Sequence, residues 1–120
     1  MSAANKAKGS KFESDIERYL NDNGHKARRL PRAGSKDIGD VSVTLKSDAV
    51  LVVEAKNTKT TQMREYLRQA ETESNFYEAK YGSVTYPVVV TKARGLSIAE
   101  ARVTMTLETL MEFLHAEGLS

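Results

Sequence analysis

Asp40, Glu54 and Lys56 place two acids and an amine on two adjoining strand-like runs, the side-chain types that hold a divalent cation and steady an attacking water. Val41, Val43 and Leu45 alternate with Asp40, Ser42 and Thr44, which is the period of a half-buried strand over 40–45. Ala49 to Lys56 is apolar on both faces until Glu54, the pattern of a strand central in a sheet. Lys46, Ser47 and Asp48 form the turn between the two runs. If Leu45 faces Ala49 across that turn, Asp40 falls opposite Glu54. Lys56, two positions further on, then projects on the same side as Glu54. Cross-strand partners have Cβ atoms about 4.5–5.5 Å apart, and like charges at that spacing repel. Two carboxylates so placed need a counter-ion. Carboxylates with water suit a hard cation, Mg²⁺ with Mn²⁺ as its substitute. Lys56 beside the ion is placed to orient or help deprotonate a water and to neutralise charge on a phosphate as it reacts.

The elements that must position these groups are legible from their periods. Phe12, Ile16, Tyr19 and Leu20 recur at helical spacing after Ser10, and Asn23-Gly24 ends that helix. His25 to Leu30 reads as a short strand and 31–36 as a flexible loop. Thr60 or Thr61 caps a long helix reaching Tyr81, with Met63, Tyr66, Leu67, Ala70, Phe76 and Tyr77 as its apolar stripe and Gly82 as its stop. A strand follows over Val84 to Thr91, where Pro87 implies an edge position or a bulge. A weaker strand over 101–105 and a closing helix over Leu107 to Ala116 complete the order. The expected fold is α/β, a central mixed β-sheet flanked by helices, with residues 1–9 as a flexible basic arm and 10–120 as one domain.

Composition narrows the chemistry. The 120 residues include no cysteine, which excludes disulfides and thiolate metal sites, and His25 and His115 are too few and too far apart to suggest zinc. The first ten residues lack the apolar centre of a signal peptide, and the longest apolar run, Ala49 to Val53, is too short to cross a bilayer. The expectation is an intracellular, cytoplasmic protein without membrane partner or organic cofactor. Net charge is only +2, but Lys and Arg outnumber acids between Lys6 and Lys36, which suits a polyanion.

The run Ile38-Gly39-Asp40-Val41, with thirteen residues separating Asp40 from Glu54 of Glu54-Ala55-Lys56, resembles the signature of the PD-(D/E)XK nucleases. Within that superfamily the chain is most similar to the archaeal-type Holliday junction resolvases. They share the start Gly9-Ser10-Lys11-Phe12-Glu13, a basic strand, a Gly/Ser-rich loop and the exit Lys56-Asn57-Thr58-Lys59. The likeness spans roughly 8–92. It departs from the pattern at Gly39, where proline is usual, and Asp37 is a rival for the first acid that would face away from Asp40's side in a continuous strand. The resemblance implies a restriction-endonuclease-like core and a Mg²⁺-dependent endodeoxyribonuclease acting on branched double-stranded DNA, most specifically a four-way junction, as a homodimer. It also implies a further acid, Glu13, as catalytic and metal-binding residue. The same Glu13 closes a capping box with Ser10, so both roles stay open here.

Lys8, Lys11, Arg28, Arg29, Arg32, Lys36 and Lys59 are the candidate DNA contacts, each equally readable as solvated surface. Gln69 reads as a polar helix face within reach of the phosphate. Tyr66, Phe76 and Tyr77 read as core or dimer interface. Two other readings remain: another nuclease of the same fold, restriction-like or repair, and a non-catalytic DNA-binding module.

Overall fold

The computed structural model describes residues 3–32 and 37–118, with side chains from Ala7 onward. In chain order it holds α1 (Ala3–Asp22), β1 (Lys26–Arg29), β2 (Val41–Thr44), β3 (Val50–Lys56), α2 (Met63–Tyr81), β4 (Thr85–Thr91), a single 3₁₀ turn (Ile98–Glu100), β5 (Arg102–Thr104) and α3 (Leu107–Ala116). The five strands lie in sequence order in one mixed sheet, the α/β arrangement expected. β1–β2, β2–β3 and β4–β5 are antiparallel, and only β3–β4 is parallel, joined by α2 as its crossover.

Side-chain alternation divides the core into two layers. Val41, Val43, Val53, Val88 and Val90 pack against Phe12 and Ile16 of α1. Val50 and Val52 turn to the opposite face and meet Tyr77 of α2, with Leu30 and Ile38. Ser74 on α2 donates a 2.7 Å hydrogen bond to Thr85 Oγ1, locking that helix to β4. α3 is held by the edge-to-face contact of Phe113 with Tyr86, ring centroids 5.5 Å apart.

Several boundaries depart from expectation. α1 starts at Ala3, so residues 3–9 extend the helix, and Ser10 lies inside it instead of capping it. Tyr19, expected on the buried stripe, is 40% exposed, because the sheet covers only the Phe12/Ile16 side. α2 begins at Met63, capped at Gln62 with no side-chain hydrogen bond, and ends at Gly82 as expected, in the left-handed conformation. Pro87 is tolerated because β5 pairs only with Val89–Thr91, leaving the first half of β4 open on that side.

Candidate active site

The β2–β3 hairpin has the register that the turn length implies. Leu45 N donates to Ala49 O at 2.8 Å, and Val41 pairs with Val53 and Thr44 with Val50. Asp40, immediately before β2, continues that ladder: its amide donates to Val53 O at 2.9 Å, and its Oδ2 accepts from Ala55 N at 2.9 Å. Its carboxyl thereby meets that of Glu54 in hydrogen-bonding contact. Glu54 and Lys56 share the side of β3 that carries Val50 and Val52, facing α2.

Gly39 makes this approach possible. Its φ of +108° lies in the region that disfavours side chains, and a Cβ there would stand 2.7 Å from Val52 Cγ1. The proline usual before the first acid would not adopt that φ, so the departure from the signature has a local cause. Asp37, the rival first acid, is exposed and accepts from Gly39 N at 3.0 Å. It shapes the turn, while Asp40 occupies the buried position.

The acids are sealed from water to an unusual degree. Asp40, Glu54 and Glu73 are each 3% exposed. Burial above all, and then contact with Glu54, pushes the Asp40 carboxyl up to about 8. Burial likewise raises Glu54 to about 8, with Glu73 adding to the shift and Lys56 opposing it. Glu73, on α2, is raised by burial first and then by Asp37 and Asp40, while its contacts with Glu54 and Gln69 lower it. Among the described residues, Glu54 Oε2 and both carboxylate oxygens of Glu73 have no hydrogen-bond donor. Buried carboxylate oxygens without donors are costly unless a cation or a proton meets them.

That donor deficit fits a cation at Asp40 and Glu54. Among the described residues no group of three or more acid or histidine side chains is arranged to hold an ion on its own. A cation there would complete its shell with water and phosphate oxygens, as Mg²⁺ commonly does beside one or two carboxylates.

Glu13 behaves differently from the expectation. The capping box does not form, since Ser10 is within α1. The Glu13 carboxylate is instead gripped by Arg32 Nη2 at 3.1 Å and Arg29 Nη2 at 3.4 Å. The same Arg32 nitrogen lies 3.0 Å from Asp40 Oδ1, so one guanidinium bridges Glu13 and Asp40. Burial, then Asp40, raises its proton affinity, and the two arginines oppose the rise.

A cleft of about 1070 Å³ opens over this centre, lined by Glu13, Asp40, Glu54 and Lys56 together with Lys8, Arg29, Arg32, Lys59, Gln69 and Arg94. Four of the expected DNA contacts therefore line it. Three do not. Lys11 is paired with Asp15 at 3.1 Å on the outer side of α1. Arg28 alternates to the opposite sheet face from Arg29, beside Ser42, Thr44 and Tyr77. Lys36 lies outside the described residues. Arg94 and Glu73 escaped the sequence reading. Glu73 carries a signal after all, an acid interrupting the buried stripe of Ala70, Ser74 and Tyr77, whereas Arg94 reaches the cleft only through the turn after β4.

Residues 4–108 match the model of the family described as archaeal Holliday junction resolvase (Hjc). In fold the chain is similar to the 1.6 Å structure of Hjc from Archaeoglobus fulgidus, a Holliday junction resolvase from an archaeal hyperthermophile. The two share 20% identity at a TM-score of 0.55, over 81% of this chain and 76% of that one. No curated protein matches.

Proposed function

The chain belongs to the archaeal Holliday junction resolvase family, and from that premise we propose that Asp40, Glu54 and Lys56 form the centre at which it hydrolyses phosphodiester bonds of four-way DNA junctions with Mg²⁺. A member of this family is a structure-selective nuclease using a divalent metal. The choice of Mg²⁺, with Mn²⁺ as substitute, follows from the all-oxygen donor set. The reading is supported above all by the opposition of Asp40 and Glu54 across the hairpin, with Glu54 Oε2 buried and without a donor among the described residues.

When bound, the ion supplies Lewis-acid stabilisation of charge developing on the scissile phosphate. Asp40 and Glu54 hold it, one fixed by the Ala55 amide and the other by its place in β3. Lys56, on Glu54's side at the cleft wall, orients the attacking water and neutralises charge in the transition state. Glu13 acts through Arg32 and through water, steadying the Asp40 side of the pair. Lys8, Arg29, Arg32, Lys59 and Arg94 grip phosphates that flank the cut, contacts that fix position and carry no base information. Junctions are thus selected by shape.

The chain acts as one nuclease domain, with the first turns of α1 and Lys8 lying along the DNA. A homodimer supplies two equal sites for two symmetric cuts. No helix among the described residues is long and apolar enough to cross a membrane, and we place the activity in the cytoplasm with the DNA.

The deciding experiment incubates immobile four-way junctions, flapped duplexes and linear duplexes of one sequence with the protein, with and without Mg²⁺. Paired Mg²⁺-dependent nicks in the junction alone are expected. Equal cutting of linear duplex would place the chain among other nucleases of this fold, and binding without cutting would make it a DNA-binding module.

A further inference from the structure

The loop between β3 and α2 runs directly from Lys56, and one side chain ties both ends of it together. Tyr66, in the first turns of α2, has its ring centroid 5.0 Å from Lys56 Nζ. Its hydroxyl lies 2.9 Å from Thr58 Oγ1 and donates to Thr60 O at 3.2 Å. Thr58 Oγ1 lies 2.9 Å from Thr60 O as well, so two hydroxyl protons serve three short contacts in a small network around the loop. The Tyr66 amide is fixed in turn by Gln62 O at 3.0 Å. Among the described residues no acid stands within ion-pair distance of Lys56.

We infer that Tyr66 is a positioning residue for Lys56: its ring face carries the ammonium group, and its hydroxyl pins the 57–62 loop so that the ring stays in place. A lysine ammonium rides on a flexible four-carbon stem. A carboxylate partner would hold it but would also cancel the charge needed at the phosphate. An aromatic face attracts the cation through its quadrupole while leaving that charge uncompensated. The hydroxyl is already engaged by Thr58 and Thr60, so Tyr66 works through its ring and not as an acid or base. This replaces the expectation of Tyr66 as core or dimer interface, and it rests on the proposed role of Lys56.

The test places phenylalanine and then mono-, di- and trifluorinated phenylalanine at position 66. The series keeps the ring's shape but makes its face progressively less negative. Single-turnover cutting should slow stepwise along it, with junction affinity within about twofold of wild type. Tyr66→Leu should slow cutting roughly tenfold, and Tyr66→Phe, which keeps the ring, should lose less. In NMR spectra the Lys56 ε-methylene protons should be shifted upfield by the ring in wild type and Tyr66→Phe, and lose that shift in Tyr66→Leu. A flat fluorine series or an unshifted ε-methylene would overturn the inference. Lys56→Met separates the two claims. If it still cuts at the wild-type rate, the assignment of Lys56 itself fails. If it is inactive while the fluorine series stays flat, only the role of Tyr66 fails.

Discussion

Three buried carboxyl groups near one another, Asp40, Glu54 and Glu73, set the behaviour of individual residues. Asp40→Ala and Glu54→Ala should each reduce cutting on the order of 10³-fold while junction binding persists, because in the proposed mechanism the acids hold the ion and the arginines hold the DNA. Gel-shift and cleavage assays on one preparation separate the two effects, and cutting at the wild-type rate by either variant would refute the assignment. Asp40 and Glu54 both hold protons more tightly in the folded protein than in the unfolded chain. Between about pH 4 and pH 8 the native state therefore binds more protons, and the metal-free protein loses stability as pH rises through that window. Mg²⁺ takes the ionised pair, so the rise in thermal midpoint on adding it should be larger near pH 8.5 than near pH 6; an equal rise at both would contradict the shared site. Glu54→Gln, which supplies donors to the neighbouring acids, should raise the metal-free midpoint at pH 8 by roughly 3–10 °C while abolishing activity.

The elements hold these residues through a few specific contacts. Gly39 lets the chain enter β2 with the Asp40 amide on Val53 O, and a Cβ there collides with Val52. Gly39→Ala should therefore cost about 1–3 kcal/mol in denaturant unfolding, combining left-handed strain with displaced packing. It should also slow cutting, since Asp40 is the next residue. Unchanged stability would show that the turn relaxes freely. The hairpin register was legible because a three-residue turn between Leu45 and Ala49 leaves one pairing that buries the valines. The helical start at Ala3 was not legible, since 3–9 carries no large apolar side chain to show a helical period. Pro87 was read as a sign of an edge position or a bulge, and it sits where β4 pairs with β3 alone, its other side open until Val89.

At the scale of the molecule, positive charge gathers around one opening. Arg94 and Lys59 line the cleft, whereas Arg28 lines a separate depression with Ser42, Thr44 and Tyr77. Arg94→Ala should weaken junction binding evenly across sequences and reduce the salt slope of affinity by about 1, while Arg28→Ala should alter the slope less. Affinities measured across a salt series check this ordering. Two-fold association should appear in sedimentation as twice the 13.3 kDa chain mass. Leu107 is 80% and Met111 50% exposed, four residues apart on α3. Glutamate at both should lower the dimer's association if this face meets a second copy.

The sequence by itself determined the hairpin, its two opposed acids, the lysine beside them and the mixed sheet. Those follow from turn length and from period-two and period-3.6 patterning, all of which are local. Tertiary structure decided which helix face reaches the acids. It brought Glu73 and Tyr66 of α2 to the side of β3 where Glu54 and Lys56 point, and it joined Glu13 to Asp40 through Arg32. Those choices depend on how a parallel crossover lays α2 over β3 and β4, a long-range packing outcome that spacing along the chain does not encode.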